Sequence, residues 1–407
     1  MPILSRFKST VLLLFLVFSA CKGQQKENIS ASEASTEAPA PIKAAANRTD
    51  VYLPLLQGKK VGIVANPTSV IFKENGHTHL VDSLLSLGVD VKKVFAPEHG
   101  FRGTADAGEH VKDGLDTQTG LPIISLYGKN RKPSKEQLEE LDVVVFDIQD
   151  VGVRFYTFIA SLQLVMEACA ENGTPIIVLD RPNPNGHYAD GPTMMEEHTS
   201  YLGMNTIPLV YGMTMGEYAK MLNGEGWLEN GIKVDLTVIE LENYTHDSEY
   251  HLPIRPSPNL PNDTSITLYP SLGLFEGTNV NAGRGTEFQF QRYGASFMDS
   301  TAYEFSYGPE PNFGSKYPKE ENKTCYGKDL SKTQRMNEVT MEWIIDAYNK
   351  TLDKSKFFLT DGFTKHAGTP LLQKQIEQGM TNEEIKATWQ DDLESFKKIR
   401  AKYLIYD

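Results

Sequence analysis

Cysteine is scarce in this chain: only Cys21, Cys169 and Cys325 occur among 407 residues. So few cysteines exclude a disulfide framework as the basis of the fold. Cys21 follows a signal-like segment, which leaves one bridge, between Cys169 and Cys325, as an alternative. Cys169 lies in an apolar stretch with helical spacing, so we expect it to be a buried packing residue instead.

The chain also lacks a surplus of positive charge and any basic run. Lys and Arg number 40 against 53 Asp and Glu, which gives a formal net charge of −13. Nucleic-acid binding depends on clustered Lys and Arg that neutralise phosphates. The composition therefore predicts no nucleic-acid partner.

The short motifs that mark common cofactor sites are missing as well. The sequence has no G-x-G-x-x-G after its first strand, no G-x-x-x-x-G-K-[ST], no G-x-S-x-G and no H-E-x-x-H. We therefore predict no dinucleotide or other cofactor. His77 and His79 form an H-x-H pair, but they precede a predicted helix, and we interpret them as capping or surface residues rather than metal ligands.

The apolar run near the N-terminus, Val11–Phe18, is too short to cross a bilayer. Arg6 and Lys8 precede it, and Ser19-Ala20 lead into Cys21, a pattern typical of a secretory signal. Its end resembles a bacterial lipoprotein signal, which implies cleavage before Cys21 and acylation of that cysteine. We predict a signal peptide at 1–20, a polar tether at 21–48 and an exported lipoprotein, periplasmic or anchored to the outer membrane. An uncleaved anchor or an ordinary signal is the alternative.

From Val51 onward the chain alternates between short apolar runs and segments with helical spacing. This alternation predicts an α/β fold with a mostly parallel sheet covered by helices on both faces. After residue 240 the pattern changes, and the proline-rich stretch His251–Asp263 indicates a domain seam or a cleft-lining loop. The predicted strands are Val61–Ala65, Val91–Ala96, Ile123–Tyr127, Val143–Phe146, Ile176–Leu179 and Val234–Ile239.

Four of these strands end in polar side chains. Ligands of open α/β sheets bind outside the carboxyl ends of the strands, and parallel strands bring those ends to one edge. A later Gly- and Asn-rich loop, Ser271–Glu287, is a further candidate part of the site, because glycines let a backbone approach a ligand closely. It would contribute Glu276, Asn279 and Arg284. The alternative is that this segment is only an irregular connection. The strand-end candidates are Asn66, Glu98, His99, Asp147, Gln149, Asp150, Asp180, Arg181 and Asn183.

Carboxylates are prominent among these candidates. Glycoside hydrolysis is generally catalysed by a pair of carboxyl groups in unequal environments. Glu98 is our candidate proton donor, because it follows an apolar run and Pro97, where burial favours the protonated form. Asp147 or Asp150 could be its partner, although either could instead cap a helix or pair with a nearby arginine.

Four separated motifs resemble the bacterial exo-β-N-acetylmuramidase family, formerly a domain of unknown function. They read FAPEHGFRG, VVVFDIQDVGVRFYTFI, VLDRPNPNG and PSLGLFEGTNVNAGRGTE, and the resemblance runs from about residue 50 to the C-terminus. It implies a Rossmann-like domain, placed at 49–260, a smaller α+β C-terminal domain at 261–407, and an active-site cleft between them. It also implies release of terminal N-acetylmuramic acid from the non-reducing end of peptidoglycan fragments.

The resemblance implies a catalytic role for Glu98, with the second carboxylate among Asp147, Asp150 and Glu276. N-acetylmuramic acid carries a lactyl carboxylate, whose recognition calls for a guanidinium able to form two parallel hydrogen bonds. We hypothesise that at least one of three motif arginines binds it. The predicted substrate-binding residues are Asn66, His99, Gln149, Arg154, Tyr156, Arg181, Asn183, Asn279 and Arg284.

Two other functions fit the same residues. A metal-dependent hydrolase would use Asp147, Asp150 and His99 as an oxygen-rich ligand set. A lipid-anchored protein that binds cell-wall sugars without catalysis would need the same cleft but no proton donor. The residues leave open the oligomeric state and the stereochemical course of the reaction.

Overall fold

The computed structural model describes residues 40–102 and 113–407, and Pro41–Asp407 form one compact unit. The predicted signal peptide, Cys21 and most of the predicted tether lie outside these residues. Ala44, Ala45 and Ala46, at the end of the predicted tether, are buried, because their small side chains pack into the fold. Within the described ranges, no helix is long and apolar enough to cross a membrane.

Twelve strands and eleven α-helices make up this unit in the described residues. The strands are β1 (Lys60–Ala65), β2 (Val70–Phe72), β3 (His77–His79), β4 (Asp90–Ala96), β5 (Gly114–Leu115), β6 (Pro122–Ser125), β7 (Val143–Asp147), β8 (Ile176–Leu179), β9 (Leu236–Ile239), β10 (Arg292–Ala295), β11 (Phe305–Tyr307) and β12 (Cys325–Asp329). The helices are α1 (Thr49–Leu56), α2 (Leu80–Ser86), α3 (Lys135–Leu138), α4 (Phe158–Asn172), α5 (Met215–Gly224), α6 (Asp263–Leu272), α7 (Glu342–Asn349), α8 (Thr360–Ala367), α9 (Leu371–Glu377), α10 (Asn382–Ala387) and α11 (Gln390–Arg400). Short 3-10 helices are Ala45–Asn47, Glu196–His198, Glu229–Gly231, Gly273–Gly277 and Lys354–Lys356.

A seven-stranded sheet in the order β5-β6-β4-β1-β7-β8-β9 forms the centre of the first half. Every pairing is parallel except that between β5 and β6. Counted along the chain, the six parallel strands follow the order 3-2-1-4-5-6 of a doubly wound Rossmann sheet. The predicted α/β class is therefore confirmed, and the carboxyl ends of β1, β4, β6, β7 and β8 share one edge.

Alternate side chains of each central strand enter two separate cores. In β7, Val143 and Val145 pack on the side of α1 and α2, with Tyr52 and Leu84. Val144 and Phe146 belong to the other core, which contains α4 and continues into the second half of the chain. Burial on both faces explains why the strand is apolar throughout, as parallel strands between two helical layers require.

The second half of the chain joins short helices to a small antiparallel sheet in the order β10-β12-β11. It begins after the proline-rich segment, where α6 starts at a capping box of Asn262 and Ser265. Cys169 in α4 and Cys325 in β12 are both free and buried, so the predicted packing role of Cys169 is confirmed. Their thiols form no bridge because they belong to different parts of the fold.

The H-x-H pair, His77 and His79, lies in strand β3, directly before α2. His79 is the N-cap of α2, and its Nδ1 accepts a hydrogen bond of 3.3 Å from the backbone N–H of Val81. Burial lowers the pKa of His79 to about 4, so the ring is neutral and able to accept. The predicted capping role is confirmed. Among the residues described, no group of three or more His, Cys, Asp or Glu side chains is arranged to hold a metal ion.

Candidate active site

A sharp turn after β4 presents Glu98 at the edge of the sheet. Pro97 ends the strand, and His99 and Gly100 both have a left-handed backbone, with φ of 69° and 76°. A left-handed conformation is unfavourable for a side chain such as that of His99, and it is held here by a buried setting. The turn leaves the Glu98 side chain half-buried, whereas the next residue, His99, is buried.

Two hydroxyl groups lie beside the carboxyl group of Glu98. Thr157, just before α4, hydrogen-bonds through Oγ1 to Glu98 Oε2 at 3.1 Å. Tyr127, which follows β6, is close enough for the charge of Glu98 to act on its hydroxyl. Burial and the charge of Glu98 raise the pKa of Tyr127 to about 12, so the phenol stays protonated. Because β6 is the neighbour of β4, the ends of two adjacent strands supply the acid and one of its partners.

Three more tyrosines lie within electrostatic reach of Glu98. Burial raises the pKa values of Tyr156, Tyr201 and Tyr269, and the charge of Glu98 raises each of them further. The Tyr156 ring contacts Tyr269 edge-on with centroids 6.0 Å apart, and its hydroxyl donates to Pro256 O at 2.6 Å. Together with Tyr127 they form a tyrosine cluster, Tyr127, Tyr156, Tyr201 and Tyr269, around the carboxyl group.

A second carboxylate reaches this cluster from the other half of the chain. Glu276 lies in the 3-10 helix Gly273–Gly277, directly after α6, and Arg284 Nη1 donates to its Oε2 at 3.0 Å. Burial opposes ionisation of Glu276, but Arg284, Lys319 and His366 outweigh it and lower its pKa. The charges of Glu276 and Glu98 both act on the Tyr269 hydroxyl. The two acids therefore face a common region, one half-buried among hydroxyls and the other ionised among cations.

Asp150, after β7, is a third acid near the cluster, but it is buried. Its Oδ2 accepts hydrogen bonds from the Tyr211 hydroxyl and from Gly152 N, the latter at 2.6 Å. Its Oδ1 has no hydrogen-bond partner among the described residues. The charge of Asp150 acts on both Tyr156 and Tyr269, so it lies behind the same tyrosines that Glu98 faces.

Asp147 and Arg181 bind each other rather than the site. Arg181 Nε donates to Asp147 Oδ1 at 2.6 Å and Nη2 donates to Oδ2 at 2.9 Å, with both side chains buried. Although burial opposes the charge, Asp147 raises the pKa of Arg181 and keeps it cationic. The structure thus gives Asp147 a structural partner and leaves neither side chain available to a substrate.

Other predicted substrate-binding residues bind the backbone. Arg154 is fully buried and donates to the carbonyl oxygens of Pro192, Ile207, His366 and Ala367, which ties the first half of the chain to α8. Both terminal nitrogens of this guanidinium are committed to carbonyl oxygens, and its Nε, which has no partner among the described residues, is buried, so Arg154 cannot reach a lactyl group. Four amides also bond within the chain: Asn66 Oδ1 accepts from Thr68 N, and side-chain amide nitrogens donate from Gln149 to Asp150 O and Pro182 O, from Asn183 to Met213 O, and from Asn279 to Lys356 O.

The structure therefore brings together one subset of the predicted residues and adds others. Glu98, Asp150, Tyr156, Glu276 and Arg284 converge, with His99 adjacent in the turn. Sequence reasoning missed Tyr127, Thr157, Tyr201, Tyr269, Lys319 and His366. Two of them carried a usable signal: Tyr127 stands at a strand end as Glu98 does, and Thr157 lies in the motif VVVFDIQDVGVRFYTFI.

Models of the exo-β-N-acetylmuramidase NamZ family match this chain, the N-terminal domain at residues 61–264 and the C-terminal domain at 267–406. The chain belongs to the exo-β-N-acetylmuramidase NamZ family. Peptidoglycan β-N-acetylmuramidase NamZ of Bacillus subtilis (strain 168) is 38% identical to it over 380 residues, which cover 87% of this chain and 89% of that protein.

Two solved structures of DUF1343 family proteins from Bacteroides fragilis NCTC 9343 have the same fold. One is 42% identical with a TM-score of 0.82, and the other is 27% identical with a TM-score of 0.75. Each comparison covers 90% of this chain and 99% of the other. NamZ membership confirms the predicted enzyme class, an exo-acting muramidase that hydrolyses a glycosidic bond. It supports neither the metal-dependent hydrolase nor the non-catalytic sugar-binding protein.

In this NamZ-family chain, replacing Asp150 with Asn is expected to change how stability depends on pH. Burial raises the pKa of Asp150 to about 7 in the folded chain, against about 3.9 in an unfolded one. Between these values the folded state keeps a proton that the unfolded state has lost. The contribution of Asp150 to the unfolding free energy is therefore full below about pH 4 and is lost as the pH rises to about 7.

The isosteric Asp150→Asn variant cannot titrate, so its unfolding free energy should lack this fall. Urea unfolding of both proteins at several pH values across that interval measures the difference. Because all other titrating groups are shared, subtracting the two profiles isolates Asp150. Parallel profiles would show that this carboxyl group does not keep its proton in the folded chain.

Proposed function

We propose that this protein removes terminal N-acetylmuramic acid from the non-reducing end of peptidoglycan fragments. One observation carries the proposal: Glu98 and Glu276, two carboxyl groups in contrasting environments, act on the same Tyr269 hydroxyl in a chain of the NamZ family. Two differently held carboxyl groups are what glycoside hydrolysis requires. The substrate class follows the name of the Bacillus subtilis relative, a peptidoglycan β-N-acetylmuramidase.

Glu98 acts as the general acid in this proposal. It is half-buried at the end of β4, where the Thr157 hydroxyl hydrogen-bonds to it and the Tyr127 hydroxyl lies nearby. In its protonated form it donates its proton to the glycosidic oxygen as the bond to the anomeric carbon breaks. The leaving sugar thus departs as a neutral alcohol, and Glu98 is left as a carboxylate.

Glu276 supplies the negative charge opposite this acid. Arg284 and Lys319 keep it ionised, and an ionised carboxylate stabilises the positive charge that develops on the sugar ring. It then either attacks the anomeric carbon or takes a proton from the attacking water. The Lys319 ammonium also binds the carbonyl oxygens of Phe275, Glu276 and Thr278, which fixes the backbone that carries the carboxylate.

The direct test is hydrolysis of a chromogenic β-N-acetylmuramide beside the matching β-N-acetylglucosaminide. We expect the first to be cleaved faster, and a muramyl-terminated disaccharide to release free N-acetylmuramic acid. Faster cleavage of the glucosaminide, or cleavage only inside longer glycans, would reject the proposed exo-muramidase specificity.

Replacing Glu276 with Gln is expected to lower kcat at least about 100-fold, because the neutral amide cannot act as base or nucleophile. Glu287→Gln is the matched control, since Glu287 is an exposed carboxylate three residues from Arg284. Steady-state kinetics on the muramide should show wild-type kcat for the control. Wild-type kcat in Glu276→Gln would assign the second carboxylate to Asp150 instead.

We also propose that the mature chain is an exported lipoprotein that meets its substrate outside the cytoplasm. The proposal is supported by Arg6 and Lys8, the apolar run that follows them, and Ser19-Ala20 before Cys21. Mass spectrometry of the mature N-terminus tests it. An acylated Cys21 as first residue is expected, and an unmodified N-terminus would contradict the anchor.

A further inference from the structure

The predicted arginines leave the recognition of an acidic sugar unexplained. Arg154 is buried with four hydrogen bonds to carbonyl oxygens, Arg181 is buried and paired with Asp147, and Arg284 is paired with Glu276. A cation that binds a substrate carboxylate has to be accessible and uncommitted. Arg131, in the loop between β6 and α3, is exposed and makes no hydrogen bond or ion pair with any described residue.

Arg131 nevertheless has a fixed position, because its guanidinium stacks on Tyr201. The Cζ atom lies 4.0 Å from the centre of the Tyr201 ring. The ring itself is held by a hydrogen bond of 2.8 Å between its hydroxyl and Ser161 Oγ of α4. Stacking on an aromatic face orients a guanidinium and leaves its edge N–H groups free to bind.

The same tyrosines connect Arg131 to the catalytic acid. Ser161, which holds Tyr201, lies one turn of α4 after Thr157, and Thr157 hydrogen-bonds to Glu98 Oε2. The charges of Glu98 and Arg131 both act on the same two tyrosine hydroxyls, those of Tyr127 and Tyr201. In the ligand, the lactyl ether and the glycosidic oxygen are likewise carried by one sugar ring.

We propose that Arg131, stacked on Tyr201, binds the lactyl carboxylate of the terminal sugar and thereby selects muramyl over glucosaminyl ends. This inference rests on the proposed function and names the residue that provides its specificity. A planar guanidinium can form two parallel N–H···O bonds with a carboxylate, and a charge-assisted pair of this kind is stronger than neutral hydrogen bonds. A sugar that lacks the lactyl group gains nothing from Arg131.

The test compares three substrates with a common chromogenic aglycone: the β-N-acetylmuramide, its lactyl methyl ester and the β-N-acetylglucosaminide. In the wild type, kcat/KM should be highest for the acid. In Arg131→Ala we expect a loss of about 10- to 100-fold on the acid, with the ester and the glucosaminide unchanged. Arg131→Lys, which keeps the charge but not the planar fork, should fall between.

Lys129→Ala is the matched control, because it removes an exposed cation two residues away in the same loop. It should keep the wild-type preference for the acid. Equal losses on all three substrates in Arg131→Ala, or no loss on the acid, would overturn the assignment of Arg131. A wild type that does not cleave the muramide would reject the proposed function itself, so the two failures are distinguishable.

Discussion

Replacing Glu98 with Gln is expected to lower kcat on muramyl disaccharide by about 1,000- to 10,000-fold, the upper part of the range typical of general acid–base catalysis. The amide has almost the same shape and can still accept the hydrogen bond from Thr157, but it has no acidic proton to give to the leaving oxygen. Steady-state kinetics measures the loss. The free energy of unfolding should change by less than about 1 kcal/mol, because the side chain is half-exposed.

The dependence on the leaving group separates a proton donor from a residue that only binds substrate. An aglycone of low pKa, such as dinitrophenol, departs without protonation, so it needs little help from an acid. We expect Glu98→Gln to cost much less on the dinitrophenyl muramide than on the disaccharide. Equal losses on both substrates would contradict the role of Glu98 as general acid.

The sequence predicted the edge of the sheet on which the site lies, because apolar strand runs and the polar residues after them are local features. It could not predict which of those polar residues face the substrate. That depends on which strands are neighbours: β7 lies beside β8, so Asp147 meets Arg181 and the two charges neutralise each other. β4 lies beside β6, whose end offers the neutral Tyr127 rather than an arginine.

The contribution of the second half was predicted only in part. Glu276 and Arg284 lie eight positions apart in one loop, so a local pattern places them together. Lys319 and His366, which help to keep Glu276 ionised, come from distant segments and have no motif of their own. Arg154 was predicted as a ligand of the substrate because it stands in a motif, but its burial among carbonyl groups depends on α8, more than 200 residues later.

Replacing Asp147 with Asn is expected to lower the free energy of unfolding by about 3–5 kcal/mol, as removal of one partner from a buried ion pair generally does. The cost comes from Arg181, whose charge would remain buried without a counter-charge. Asn cannot replace the lost contact, because only one of its two terminal atoms accepts a hydrogen bond and the other is a donor that meets an Arg181 N–H. Urea unfolding followed by circular dichroism measures the change.

Two controls assign the loss to the buried charge. Glu394→Gln removes a carboxylate from the exposed pair with Lys397 on α11, and it should change stability very little, since surface pairs contribute little. The double variant Asp147→Asn with Arg181→Met removes both charges and should recover part of the loss, whereas a purely steric effect would give a double variant at least as unstable as the single one.

The activity of folded Asp147→Asn protein then separates this pair from the catalytic acids. Asp147 bonds to Arg181 through both carboxyl oxygens, so its charge is balanced locally, whereas the charge of Glu98 extends to four tyrosine hydroxyls. We expect kcat of the folded variant, measured in the cold where it stays native, to remain within a few-fold of wild type. A loss comparable to that of Glu98→Gln would instead mean that Asp147 takes part in the reaction, and that the buried pair opens when substrate binds.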